Sequence, residues 1–216
     1  MSPRAYKLGQ RQAAVDETRA RIVLAARALL AAQAFDQFTI DAVARHAGVA
    51  RMTVYYQFGS KNGLLEALFD DLAGRGLVDR LRASFAHADP FDALGAFIGA
   101  FVGFWASDRV VIRRLRGLAA LDTAIESGLR ARDGRRRDGL QVLVRRLAQR
   151  YSRPVGKSVD EIVDVLHTLT SFETFDALAG TSRTPEEVAT LLIRVAHAVT
   201  IADAESNRRS PGASPR

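Results

Sequence analysis

The 216-residue chain contains no cysteine, so disulfides, thiolate metal sites and thiol nucleophiles are all excluded. Aromatic residues are scarce, at 7%, while alanine is frequent, a balance that favours helices over strands. No alternating run of apolar and polar residues is long enough to require a strand. Lysine occurs only as Lys7, Lys61 and Lys157, so arginine carries nearly all of the +7 net charge. A basic chain of this kind points weakly to a polyanionic partner, with codon bias as the alternative. The opening residues, MSPRAYKLGQRQ, lack the apolar core of a signal peptide. The most membrane-like stretch, Ala93 to Ser107, falls short of the roughly 20 apolar residues a spanning helix needs and reads as a buried helix. The expectation is a cytoplasmic protein with no membrane partner.

What is present is helical periodicity throughout, and the expected fold class is all-α. Residues 1–15 read as a disordered basic arm, 16–73 as a first domain, 74–204 as a second helical domain and 205–216 as a disordered tail. In the first domain a helix is expected from Asp16 to Gln33, with Ile22, Ala26, Leu29 and Leu30 as its apolar stripe. Thr39 is a plausible N-cap for a helix over Ile40–Ala47, stopped by Gly48. A short helix, Ala50–Phe58, ends at Gly59, and Ser60 caps the next, which carries Leu64, Leu65, Leu68, Phe69 and Leu72. Gly74 and Gly76 break that helix, either as a local interruption or as a joint between domains. Further helices are expected over Leu77–Ala88, Phe91–Ser107, Val110–Leu121, Thr123–Tyr151, Ser158–Gly180 and Thr184–Asp203.

The stretch HAGVARMTVYYQFGSKNGLLEAL, His46 to Leu68, places large side chains on a helix too short to bury them. Ala44 and Gly48 allow two helices to cross closely, as a helix-turn-helix requires. On a helical wheel Val54 and Phe58 mark the buried side, and Met52 and Tyr56 fall nearly opposite, flanked by Thr53 and Tyr55. Arg51 lies in the first turn. Arginine can bond guanine edges, methionine and tyrosine can touch thymine methyls, and hydroxyls can reach phosphates. Tyr55 divides between core packing and phosphate contact, and the two can coexist.

The segment FTIDAVARHAGVARMTVYYQFGSKNGLLEALF resembles the DNA-binding domain of the tetracycline-repressor (TetR) family of transcriptional regulators. The matching features are Thr39, Ala44, Gly48, Thr53-Val54-Tyr55, Phe58 and Ser60-Lys61, with the preceding helix, and they cover residues 16 to about 72. The resemblance implies that Thr39, Tyr55, Gln57 and Lys61 touch the phosphate backbone, and that Arg51, Met52, Thr53 and Tyr56 face bases. Gln57 stands where histidine is common, and its amide can still donate to a phosphate. Met52 stands where glycine or a small residue is frequent and should narrow the set of tolerated operators. The implied partners are a double-stranded DNA operator, a small-molecule effector and a second copy of the chain; no cofactor is implied.

In the second domain, LTSFETFDALAG and SRTPEEVATLLIRVAHAV resemble the family's dimerising helix pair. Their apolar bands are broad enough to want a second neighbour, and the expected interface is Phe172, Phe175, Leu191, Leu192 and Val195. Gly95, Gly99 and Gly103 share one face of the Phe91–Ser107 helix. Either the helix packs closely there, or Gly99 with Phe101, Phe104, Trp105 and His167 lines an effector pocket. His167 alone would more simply be a hydrogen-bonded core residue. The basic run RARDGRRRDG, Arg130 to Gly139, reads as a solvated helix face or surface loop.

Rival functions find little support. His46, His87, His167 and His197 show no metal-ligand spacing, and no glycine-rich phosphate loop follows a strand, so neither a metal site nor an enzyme is expected. An effector-independent or nucleoid-type DNA binder would use the same motif, but would not need so large an apolar helical domain.

Overall fold

The computed structural model describes residues 3–32, 38–152 and 158–201, and no strand occurs among them. Its helices are α1 (Pro3–Ala32), α2 (Ile40–Ala47), α3 (Arg51–Phe58), α4 (Lys61–Gly74), α5 (Leu77–Ala86), α6 (Pro90–Ser107), α7 (Arg109–Ala119), α8 (Thr123–Tyr151), α9 (Val159–Leu169), α10 (Phe172–Ala179) and α11 (Pro185–Ile201). Packing divides the chain into two compact units, Met1–Gly74 with Asp108–Leu129, and Arg75–Ser107 with Arg130–Arg216.

The first unit is built on α1, whose Ile22, Ala26, Leu29 and Leu30 are buried as expected. The helix starts earlier than expected, at Pro3, so most of the 1–15 segment read as a disordered arm is helical. Its alanines, glutamines and basic residues are good helix formers. Once a nucleus exists, each adds a hydrogen bond without a new nucleation cost. Asp16 and Glu17 therefore lie inside α1 rather than in its first turn. The tail 205–216 lies outside the described residues.

The expected second domain over 74–204 is not contiguous. Asp108–Leu129 belongs with the first unit because α7 buries Val111, Ile112, Leu115 and Leu118 there. Two arginines fix the arrangement. Arg27 on α1 donates to Asp108 at 2.5 Å, and Arg114 donates to the carbonyl of Leu30, one of the carbonyls left open at the end of α1. Helical periodicity reveals that α7 has a buried face but not which neighbour covers it.

The second unit is organised around α6. Ten of its residues are buried, among them Leu94, Phe97, Ile98, Phe101, Phe104 and Trp105, and α5, α10 and α11 pack on it. By length and composition alone α6 would pass for a membrane span, yet most of it lies inside the unit. Leu140, Leu143, Val144 and Leu147 of α8 are also fully buried.

The expected single helix Ser158–Gly180 is two helices, α9 and α10, broken at Thr170 and Ser171. Ser171 restarts the chain as an N-cap, its hydroxyl accepting from the N–H of Thr174 at 3.1 Å. A break exposes carbonyls, and three of them meet side-chain donors. Thr174 Oγ1 donates to Thr168 O at 2.8 Å, Arg136 Nη1 donates to His167 O at 2.5 Å, and Trp105 Nε1 donates to Thr170 O at 3.0 Å. Arg136, which the sequence suggested was solvated, is 3% exposed and also donates to Thr170 Oγ1 at 2.8 Å. Apolar periodicity runs straight through this break, so hydrophobic pattern alone did not show it.

Replacing Trp105 with Phe keeps the ring packing but removes the donor to Thr170 O. Leaving a buried acceptor unmet should cost about 1–3 kcal/mol, read from denaturant unfolding. A Trp105→Phe protein as stable as the parent would show that this bond is not needed to hold the break.

Candidate nucleic-acid interface

Helices α2 and α3 are joined by a tight turn at Gly48. Thr39 caps α2, its hydroxyl accepting from Ala42 N at 3.1 Å, a bond worth about 1 kcal/mol at such a position. At the other end Gly48 adopts φ 64°, and its N–H returns to the carbonyls of Ala44 and Arg45. A side chain there would be strained, so glycine sets the crossing. Val43 and Ala44 on α2 and Val54 on α3 are buried behind the turn.

Val54 is the one fully buried residue of α3. Met52 is 71% exposed and Tyr56 88% exposed, so neither packs under α1. Arg51 is also exposed, whereas Thr53, Tyr55, Gln57 and Phe58 are half-buried. Ring and backbone contacts hold the far end of the helix. Arg19 on α1 donates to the carbonyl of Gln57 at 2.8 Å and lies 4.4 Å from the centre of the Phe58 ring. Lys61 sits at the start of α4, its ammonium 5.4 Å from the Phe38 ring. Thr39 is exposed, and because its hydroxyl accepts from the backbone it still has a proton to donate outward.

Arg51 is not loose on this face. Its Nη1 donates to Asp41 Oδ2 at 3.2 Å, and its Nη2 donates to the Tyr55 hydroxyl at 3.4 Å. The guanidinium lies 5.5 Å from the Tyr55 ring centre. The bond to Tyr55 and then the charge of Asp41 raise the guanidinium pKa above its ordinary value. Sequence reading identified neither Asp41 nor Arg19 as part of this face, because their partners lie across a turn or on another helix.

In the second unit Phe101, Phe104 and Trp105 are buried, and the Trp105 ring meets those of Phe101, Phe104 and Phe172 in tilted or edge-on contacts. The three glycines of α6 have different surroundings. A Cβ at Gly95 would meet Ile193 at 3.8 Å, one at Gly103 would meet Arg80 at 3.3 Å, and one at Gly99 would meet nothing within 4 Å. The close-packing alternative thus fits Gly95 and Gly103, and Gly99 borders open space. His167 does not join the aromatic group through its ring. Its Nε2 lies 3.0 Å from the Asp133 carbonyl and must donate to it.

The expected dimer residues separate. Phe172, Phe175 and Leu192 are buried within the chain itself, because α10 and α11 turn these side chains inward. Within the single chain all three are thus covered by its own helices. Leu191 is half-buried and Val195 is 36% exposed, and Val165, outside the expected set, is 42% exposed.

Comparisons with known proteins bear on this geometry. Residues 22–68 match the family model described as bacterial regulatory proteins, tetR family. The matched residues run from α1 into α4 and include the α2–α3 turn at Gly48. HTH-type transcriptional regulator AlkX of Mycobacterium tuberculosis is 39% identical to the chain over 101 residues, 45% of this chain and 47% of AlkX. No more than 47% of either curated relative is covered. Among solved structures, a TetR-like transcriptional regulator from Rhodococcus sp. RHA1 superposes with a TM-score of 0.63 at 21% identity, covering 84% of this chain and 94% of that one. NalD, the secondary repressor of the MexAB-OprM multidrug efflux pump in Pseudomonas aeruginosa, gives 0.64 at 20% identity over 88% and 98%. These two likenesses extend the shared fold beyond residues 22–68 to most of the chain.

His167 gives the second unit a pH dependence of defined sign. Burial, and then the charge of Arg136, lower its pKa below the ordinary 6.5, outweighing the Asp133 carbonyl and carboxylate; Arg137 adds to the lowering. The unfolded chain therefore takes up the proton first as pH falls. Stability is retained above about pH 6.5 and lost below it. Asp89, whose pKa is lowered chiefly by the Tyr151 hydroxyl, acts in the same direction but only below 3.8. Thermal melts between about pH 7.5 and 5 should show falling stability that His167→Gln flattens. An unaltered slope in the variant would assign the effect to another group.

Proposed function

We propose that the protein is a transcriptional regulator, a cytoplasmic homodimer that represses from a palindromic DNA operator and is released by a small, largely apolar effector. The observation that carries the DNA reading is α3 itself. A tetR-family domain holds Met52 and Tyr56 in solvent while Val54 alone is fully buried, so the large residues of α3 face outward. In this reading Arg51, Met52, Thr53 and Tyr56 face bases, and Thr39, Tyr55, Gln57 and Lys61 face phosphates. Repression is the role stated for NalD, and it is carried to this chain as part of the proposal.

For the dimer, the supporting observation is the apolar surface left on α9 and α11 at Val165, Leu191 and Val195. Binding of a two-fold dimer to a palindromic operator would require its two copies of α3 to lie about one DNA turn, roughly 34–36 Å, or a multiple apart. For the effector, support comes from the aromatic wall of α6 and the open space at Gly99. An effector must bind the DNA-free state better than the DNA-bound one, since equal affinity shifts nothing.

Gel shifts against the chain's own upstream region and against random duplex test the DNA reading first. Lys61→Ala should weaken binding to all sequences alike and reduce the salt slope by about 1. Tyr56→Ala should lower discrimination by roughly 1–3 kcal/mol at the base pair it reads. If both variants lose only uniform affinity, Tyr56 does not read a base.

The interface is tested separately. Val195→Glu places a charge on an exposed position, so the monomer should still fold while a dimer through this face would bury the carboxylate unpaired. Sedimentation should find monomers; a dimer unchanged by both Val195→Glu and Val165→Glu would place the interface elsewhere.

A further inference from the structure

We propose that Asp41 is a positioning residue for base recognition, its carboxylate holding the Arg51 guanidinium against Tyr55 in an arrangement suited to reading a guanine. The inference rests on the DNA-binding reading above and extends it to a residue on α2 that faces no base in that reading. Three elements of geometry support it. Asp41 accepts from Arg51 Nη1 at 3.2 Å, Tyr55 accepts from Nη2 at 3.4 Å, and the guanidinium stands 5.5 Å from the Tyr55 ring centre. An arginine has five N–H donors, and these contacts engage two, leaving three for a ligand. Two parallel donors suffice for the O6 and N7 acceptors of guanine in the major groove.

The ion pair is poorly suited to a purely stabilising role. Both side chains are 57% exposed, and exposed pairs contribute little to folding. Beside a DNA backbone a carboxylate also repels phosphate, so for affinity alone Asp41 would be unfavourable. What it supplies is order. A free arginine loses rotamer freedom when it docks on a base, and one held in advance loses less. The hold also limits which base the arginine can reach. A mobile Arg51 could instead swing to a phosphate, giving affinity without discrimination. Asp41 thus exchanges general affinity for selectivity. Its position in the first turn of α2 gives it a second, purely structural effect on the helix dipole, which the test must separate.

The test uses the full chain and a random double-stranded DNA library. Repeated selection yields an enriched duplex, and each G·C pair in it is then replaced by A·T. Binding of the parent, Asp41→Asn, Asp41→Glu, Arg51→Ala and the Asp41→Asn/Arg51→Ala pair is measured on these duplexes and on random duplex, at several salt concentrations. The parent should lose about tenfold or more at one G·C pair in each half-site, and Arg51→Ala should lose that preference. Asp41→Asn should weaken the preference at the same pair and bind random duplex more tightly, while Asp41→Glu should keep the preference. The double variant should discriminate no less than Arg51→Ala alone. Thermal melts show that each variant is folded, and a merely structural Asp41 would lower binding at every base pair equally. Asp41→Asn retaining the parental preference at the Arg51 pair, or losing all preferences uniformly, overturns the inference while leaving the DNA reading intact. A parent chain that enriches no sequence overturns the DNA reading, and this inference with it.

Discussion

An eight-residue helix can bury very little, and α3 fully buries only Val54. Helices this short are not stable by themselves, so the direction in which α3 points is set by its neighbours. Gly48 fixes one end through its left-handed turn, and Arg19 holds the other by bonding Gln57 O and covering Phe58. The exposed side chains follow from these constraints. Because Val54 must face inward, Met52 and Tyr56 must face outward. The same geometry brings α2 close enough for Asp41 to reach Arg51.

The second unit meets the opposite constraint, since it has abundant apolar surface and must accommodate a few buried polar atoms. Its described buried polar or charged side chains are Ser84, Arg136, Thr170 and Thr200. Two of these, Arg136 and Thr170, meet at the break between α9 and α10, beside Trp105. A broken helix inside an apolar core would be costly if its carbonyls were left without donors. Here an arginine from a basic run and an indole from an apolar run supply them. Sequence pattern had suggested the surface for the arginine and had left the tryptophan between close helix packing and an effector pocket; the interior uses both as donors.

Local signals were the legible part of the sequence. Thr39 capping α2, Gly48 ending it, Ser60 accepting from Gly63 N and Thr184 pairing reciprocally with Glu187 all depend on residues three or four apart. The helical class and the outward Met52 and Tyr56 were legible for the same reason. Contacts between distant segments were not. Periodicity shows that Phe172, Phe175 and Leu192 are apolar, but not whether the apolar neighbour belongs to the same chain or another. It likewise missed the attachment of α7 to α1, the partner of Asp41 and the burial of Arg136. The break at Ser171 was hidden for a different reason, because a serine N-cap inside an apolar stripe looks like an ordinary polar interruption.

Trp105 gives the α9–α10 break an optical consequence. It is the only tryptophan in the chain, it is 3% exposed, and its indole N–H bonds to the Thr170 carbonyl. Excited at the long-wavelength edge, where tyrosine does not absorb, the protein therefore emits from one chromophore shielded from water and bonded to a peptide carbonyl. A shift of α10 that lengthened that bond, or admitted water to the ring, would change the colour and quenching of the signal without any label. Trp105, Thr170 and Phe172 all belong to the second unit, so the fluorescence reports on the packing of that unit around the α9–α10 break.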